Sequence, residues 1–298
     1  TAIARTTDTK EYFGSGAPDV ACLSGTGLKP LDPAASKKVT MRGYVKIFAN
    51  GPDSRNVKVE VFKEILDAGG QPTGQLGELV GTTVSTDKLP DGTATKTETI
   101  TKAGKDETRV LYPYEIVGAI PTEAPLIVKT SSKTAVDVDG WFPLYDFNQV
   151  VRNDGVSGDL WSFDVRALGN DDYASILKAA YNRPPEGGKS AIAGEVHDCG
   201  DVRLSNATVG ISPVPSFPLK YLSEIEDDPL PDGTRVATGR LGLYAQGGVS
   251  PGLYTVAAAG TLGKDLIALG SYPVQTFPDS VTVITFRGLR PWQVAKSK

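Results

Sequence analysis

Gly43-Tyr44-Val45 and Gly194-Glu195-Val196 are two copies of one short pattern, about 150 residues apart in the chain. A second pattern follows each copy, beginning with Tyr114-Glu115-Ile116-Val117-Gly118 in the first half and with Tyr244-Ala245-Gln246-Gly247-Gly248 in the second. Self-similarity at this spacing, with alternating apolar residues around it, predicts two copies of one β-sandwich domain. The repeat contains no group that catalysis needs, so it indicates an architecture and names no ligand.

The chain of 298 residues is long enough for two domains that each have their own core. We expect a mainly β fold of two tandem immunoglobulin-like or transthyretin-like β-sandwich domains with one short inter-domain helix. The expected divisions are an extended N-terminal segment (residues 1–37), the first sandwich (38–168), a helix with its linker (169–189), the second sandwich (190–290) and a C-terminal tail (291–298).

Two local patterns refine this division. Apolar residues at helical spacing from Tyr173 to Tyr181 predict the helix, with Asn170 or Asp171 as its N-cap and Pro184 beyond its end. Strands from Val39 to Phe48 and from Val57 to Ile65 flank a turn, and we expect them to form a hairpin.

One stretch of the second half resembles a known family. Gly194-Glu195-Val196-His197-Asp198-Cys199-Gly200 and the later Pro251-Gly252-Leu253-Tyr254-Thr255-Val256 are similar to the opening strands and the turn of carboxypeptidase-regulatory-like domains, a branch of the transthyretin-like sandwiches. The resemblance covers residues 190–290 best; in the first half Pro121 is followed by Thr122 instead of glycine. It implies a non-catalytic module of bacterial secreted or surface proteins, and it assigns no site residue.

Charge and hydropathy exclude two classes of partner. The net charge is −4 and the Lys and Arg residues are scattered, which argues against a nucleic-acid-binding surface. No apolar run reaches the length of about 20 residues that a transmembrane helix needs. The resemblance described above, rather than composition, implies a secreted or cell-envelope protein that is exposed at the surface. We expect its partners to be other protein subunits or surface proteins, with glycans as a further class.

Few residues offer reactive chemistry. His197 is the only histidine, and its neighbour Asp198 is expected on the opposite face of the strand, so we expect no catalytic residue and no cofactor. We expect no metal site: Asp137 and Asp139 could supply oxygen ligands to calcium, but a solvated acidic turn is the default interpretation of such a pair. Cys22 and Cys199 are candidates for a disulfide, with two buried free thiols as the alternative.

Trp141 and Trp292 are candidate interface aromatics, while core packing is the ordinary role of such residues. Together these observations predict a non-catalytic extracellular protein, structural or adhesive, of the cell surface or an appendage. The alternatives are a carbohydrate-binding module, an accessory subunit of a secreted complex and a virion surface protein.

Overall fold

The computed structural model describes residues 1–8, 10–25, 28–49, 53–102, 105–134, 140–225 and 229–293. The expectation of a mainly β fold is confirmed, and these residues contain one α-helix, α1 (Asn170–Tyr181). Up to this helix the strands are β1 (Ala4–Arg5), β2 (Lys38–Phe48), β3 (Val57–Leu66), β4 (Pro72–Val84), β5 (Lys96–Lys102), β6 (Lys105–Leu111), β7 (Pro113–Pro121), β8 (Pro125–Ser132), β9 (Trp141–Phe142), β10 (Leu144–Val150), β11 (Leu160–Ser162) and β12 (Val165–Gly169).

After the helix the strands are β13 (Ser190–His197), β14 (Leu204–Ser205), β15 (Thr208–Ser212), β16 (Lys220–Leu222), β17 (Pro231–Asp232), β18 (Leu243–Val249), β19 (Gly252–Leu262), β20 (Asp265–Thr276), β21 (Val281–Val283) and β22 (Phe286–Arg287). Short 3-10 helices lie at Ala21–Ser24, Pro33–Ala35, Asn153–Gly155 and Pro291–Gln293.

The first half is a sandwich in which β2, β7, β9, β11 and β12 face β3, β4, β8 and β10. Alternate side chains of β2 and β3 meet in its core, which includes Val39, Met41, Val45, Val57, Val59 and Val61. The predicted hairpin is wrong, because β2 and β3 belong to different sheets. Each strand has one apolar face, and the two strands bury these faces against each other across the sandwich.

The first copy of the repeat forms a compact unit of three strands. Gly43 on β2 lies opposite Tyr114 on β7 in the antiparallel register. A third strand runs parallel to β2 and is interrupted between β11 and β12, where Phe163 donates its N–H to the carbonyl of Arg42. The carbonyl of Phe163 accepts a hydrogen bond from the Tyr114 hydroxyl and lies directly over Gly43, leaving no room for a Cβ atom there.

The second copy has the same geometry. Gly194 on β13 lies opposite Tyr244 on β18, and the parallel third strand is interrupted between β21 and β22. There Ile284 donates its N–H to the carbonyl of Ala193, and its own carbonyl accepts from the Tyr244 hydroxyl at 2.8 Å. A Cβ atom at Gly194 would overlap with that carbonyl. The sequence repeat therefore corresponds to a repeated structural unit, which supports the predicted pair of sandwiches.

One sheet continues through both halves. Its strands follow the order β17-β16-β18-β13-β21-β10-β8-β3-β4, and β21 is parallel to both β13 and β10. This sheet has a core on each face, because Leu126 and Val128 of β8 enter the first core while Ile127 between them enters the second. Opposite the second core face lies the sheet β15-β19-β20. The domain bounds stay a prediction, since the sheet does not break where the linker was expected.

Helix α1 covers the junction of the two halves. Its buried residues Tyr173 and Leu177 pack with residues of β10, β13 and β21, as the apolar stripe predicts. The expected cap is wrong: the N-cap is Gly169, which makes no side-chain capping bond. Strand β12 runs directly into the helix, and the Asn170 N–H donates to the carbonyl of Gly140 instead.

The N-terminal segment lies across the second half. Ile3 is buried in the second core, and β1 pairs with β14. Cys22 and Cys199 are joined in a disulfide, with their Cα atoms 5.7 Å apart. Residues 28–37 then lead into β2, so this segment contacts both halves of the chain.

Candidate functional site

A buried cluster of charged side chains lies where the second repeat meets the N-terminal segment and β12. At its centre is Glu195 of β13, which is 1% exposed. One carboxylate oxygen, Oε1, accepts from Arg166 of β12, and the other, Oε2, accepts from Nε of Arg203 at 2.9 Å. Glu195 is therefore held by one arginine from each half of the chain.

His197 extends this cluster to a second carboxylate. Its Nε2 lies 2.7 Å from Oε2 of Glu195, and its Nδ1 lies 2.7 Å from Oδ1 of Asp201. Asp201 also accepts from Nε of Arg287 at 2.6 Å. The ring of Tyr12 lies against the imidazole, with the two ring centroids 5.2 Å apart.

The charges explain how an acid is kept ionised in the interior. Burial acts to raise the pKa of Glu195, but Arg166, His197 and Arg203 hold it well below its usual range. Burial acts in the same direction on Asp201, and His197 and Arg287 lower the pKa of that carboxyl. A buried charge is stabilised when it is paired in this way, and removing one partner leaves the other uncompensated.

This arrangement does not suit general acid–base chemistry. Each ring nitrogen of His197 lies within hydrogen-bond distance of a carboxylate oxygen, one from Glu195 and one from Asp201. Because His197 is also only 1% exposed, neither nitrogen faces an open space in which a nucleophile could lie. Asp198 points away, as strand alternation predicts, and pairs with Nε of Arg5 at 2.5 Å. The ion pairs and ring contacts of this cluster connect the second repeat to β12 and to the N-terminal segment.

Sequence reasoning did not find this cluster. Glu195 and His197 are two residues apart on one strand, so alternation places both side chains on the same face. That signal was present in the sequence. Arg166 and Arg287 come from distant strands, and only the observed strand order brings them to Glu195 and Asp201.

A cavity of about 120 Å³ borders the cluster. It lies between helix α1 and one face of the continuous sheet, and Glu195, Arg166 and Arg287 line one end. Asp146 of β10 also lines this end, and burial raises the pKa of its carboxyl to about 6 against the opposing effect of Arg287 and Arg166.

The candidate aromatics are buried. Trp141 is 2% exposed and its indole N–H donates to the carbonyl of Arg55 at 2.9 Å. Trp292 is 7% exposed, and its carbonyl accepts from the Gln71 side chain at 2.6 Å. Although the expected division places Trp292 in a C-terminal tail, the structure buries this residue and joins it to Gln71 of the first half. Neither residue offers an open platform for a sugar ring.

Asp137 and Asp139 lie outside the described residues, so their interpretation as a solvated acidic turn rather than calcium ligands stays a prediction. Among the residues that the structure describes, no group of three or more His, Cys, Asp or Glu side chains is arranged to hold a metal ion. Within the same ranges, none of the helices has the length and hydropathy needed to cross a membrane.

Comparison with known proteins gives only remote similarities. No family model matches the chain, and no curated protein matches it, so the resemblance to carboxypeptidase-regulatory-like domains stays a prediction. Among solved structures, a streptococcal ancillary pilin matches with 10% identity and a TM-score of 0.23, over 83% of this chain and 68% of that one.

Two further pilins are similar at the same level. BcpA, the major pilin subunit of Bacillus cereus, has 9% identity and a TM-score of 0.20, over 84% of this chain and 71% of its own. The group B streptococcus pilus 2b backbone protein has 12% identity and a TM-score of 0.19, over 95% and 89%. Scores this low identify neither a family nor a function for this chain.

Proposed function

We propose that this chain is a non-catalytic structural protein of the cell surface or of a surface appendage, which acts by contact with other protein subunits. The observation that carries the proposal is the internal use of its reactive groups. The only histidine, His197, and the acid Glu195 are each 1% exposed and are bonded to each other. Glu195 also accepts from Arg166 and Arg203, and His197 also lies against Asp201. Such a network stabilises a scaffold and leaves no free base for catalysis.

The disulfide supports an extracellular location. Cys22 and Cys199 form this bond in the structure, and disulfides persist in oxidising compartments rather than in the cytosol. It ties the N-terminal segment to the second repeat, a useful feature in a protein that must stay folded outside the cell.

One strand edge is suited to contact with a partner. The hairpin of β5 and β6 forms a two-stranded sheet of its own, and β5 pairs with β6 alone among the described strands. Thr97 and Thr99 on β5 are exposed. An edge with unpaired backbone groups can accept a strand from another subunit.

The test is native mass spectrometry of the full chain isolated from its source, combined with hydrogen exchange of β5. We expect a stoichiometric protein partner, and we expect the β5 amides that point away from β6 to exchange rapidly in the isolated chain and slowly in the assembly. A chain that is purified alone, or protection of these outward-pointing amides in the monomer, would contradict the proposal.

Catalysis is tested separately with a hydrolase substrate panel. We expect no turnover by the wild-type chain. Turnover that is lost in His197→Ala but retained in Tyr254→Phe, a change outside the cluster, would contradict a purely structural role for His197.

A further inference from the structure

The cavity under helix α1 has two chemically different ends. On one side the cavity is lined by three neighbouring strands of the sheet, β10, β21 and β13. Residues in register on these strands form rows across the sheet, and the first row consists of Leu144, Val281 and Ala191. This row is apolar, and Leu177 of the helix lies in the same buried cluster. One end of the cavity is therefore lined by hydrocarbon side chains.

The next two rows of residues along the same face of the sheet contain charged side chains. Asp146 is aligned with Val283 and Ala193, and Glu195 follows Ala193 on the same face of β13. Oδ1 of Asp146 is buried and has no hydrogen-bond partner among the described residues. An acceptor left without a partner in a low-dielectric site costs free energy, which a ligand that donates a hydrogen bond would recover.

The charges at this end balance. The charged side chains that line the cavity are three acids and three bases, namely Asp146, Asp164, Glu195, Arg166, Lys220 and Arg287. A ligand with a net charge would leave this balanced set with an uncompensated buried charge, whereas a neutral polar group would not.

We propose that the cavity binds a small apolar molecule with an uncharged head group that donates and accepts hydrogen bonds, such as a short-chain primary amide. The head group donates to Oδ1 of Asp146 and accepts from the guanidinium groups of Arg166 or Arg287. The hydrocarbon part lies between Leu177 and the apolar row of the sheet. This site is independent of the assembly role proposed above.

The volume fits such a ligand. A cavity of about 120 Å³ is close in size to an apolar cavity of about 150 Å³ that holds a benzene molecule. A molecule with six to eight non-hydrogen atoms is therefore the appropriate class, and pentanamide belongs to it.

The test uses the full chain and three probes of similar size, namely pentanamide, pentanoate and pentylammonium, with binding measured by NMR titration at neutral pH. We expect pentanamide to bind about tenfold more tightly than either charged probe, and Asp146→Ala to weaken its binding about tenfold. The methyl signals of Ala193 and Ala245, which line the cavity, should shift with pentanamide. No binding of pentanamide, or equal binding of all three probes, would overturn the proposal.

A steric variant locates the site. Leu177→Trp fills the apolar end and should abolish pentanamide binding, while Leu266→Trp, at a position that is 78% exposed on β20, should leave it unchanged. Circular dichroism verifies that each variant is folded. If Leu177→Trp does not fold, Ala180→Phe provides the same test from the next turn of the helix. Full binding by a folded cavity-filling variant would contradict the assignment.

Discussion

The hydroxyl of Tyr244 donates a hydrogen bond to the carbonyl of Ile284, and this bond crosses over Gly194, where any larger residue would collide with the same carbonyl. Tyr114 makes the corresponding bond to the carbonyl of Phe163 over Gly43. In each half, one glycine and one tyrosine thus fix the position of an interrupted parallel strand.

Gly194→Ala tests the steric part of this unit. Because the added methyl group would overlap with a backbone carbonyl in the middle of a sheet, we expect a loss of about 3 kcal/mol in the free energy of unfolding, measured by denaturant titration. Gly210→Ala is the matched control, since Gly210 on β15 has open space at the Cβ position, and its effect should stay within about 0.5 kcal/mol. Equal effects of the two substitutions would contradict the close approach at Gly194.

Tyr114→Phe and Tyr244→Phe test the hydrogen-bonded part. Each substitution leaves a carbonyl without its tyrosine donor while keeping the ring, so each should cost about 1–3 kcal/mol of stability. Tyr44→Phe serves as the control, because its hydroxyl makes an exposed bond to the carbonyl of Ala94. If only one of the two buried tyrosines matters, the two repeats are not equivalent in energy.

The disulfide should contribute strongly to stability. It closes a loop of 177 residues, for which the chain-entropy model gives at most about 5 kcal/mol. The double variant Cys22→Ser/Cys199→Ser should unfold at lower urea concentration and still fold, because Ile3 and Arg5 anchor the segment independently. Reductant should destabilise the wild type and leave the double variant unchanged. A wild type that is insensitive to reductant would contradict this expectation.

Glu64 should make stability depend on pH. Burial raises the pKa of its carboxyl to about 8, partly offset by the hydrogen bond from the Gly74 N–H. Between pH of about 4.5 and 8 the unfolded chain releases this proton while the folded chain keeps it, so stability falls as pH rises through this window. The total loss is roughly 3–5 kcal/mol.

Glu64→Gln should remove this dependence, because a neutral amide can still accept from Gly74. Urea titrations at pH 5 and pH 8 measure the difference between variant and wild type. Glu78→Gln is the control, since the side chain of Glu78 is 69% exposed and its removal should leave the wild-type pH profile unchanged. A wild-type stability that is flat from pH 5 to pH 8 would contradict a neutral Glu64.

The repeat could be recognised in the sequence, but the way in which its two copies are joined could not. Gly43, Tyr114, Gly194 and Tyr244 were visible as a pattern because the same steric demand recurs in both halves. The joining of the two halves was not visible, because β21 has only three residues and its parallel partners are separated from it by long stretches of chain. Pairing across such distances leaves no periodic signal.

The ion-pair cluster around Glu195 could likewise be predicted only in part from the sequence. Alternation along β13 places Glu195 and His197 on one face, which sequence alone can give. That this face is buried depends on Arg166 and Arg203 supplying opposite charges, and their positions follow from the fold. Trp292 is buried, and its carbonyl accepts a hydrogen bond from Gln71 of the first half, a contact between distant residues that no local pattern encodes.

Native-state hydrogen exchange at the junction of β10 and β21 tests most directly whether the two repeats form one body. The amides of Leu144–Val150 and Val281–Val283 should exchange only through global unfolding, with the same opening free energy as those of β13. Exchange of β21 at a distinctly lower free energy, with the second half opening while the first stays folded, would contradict a single continuous sheet.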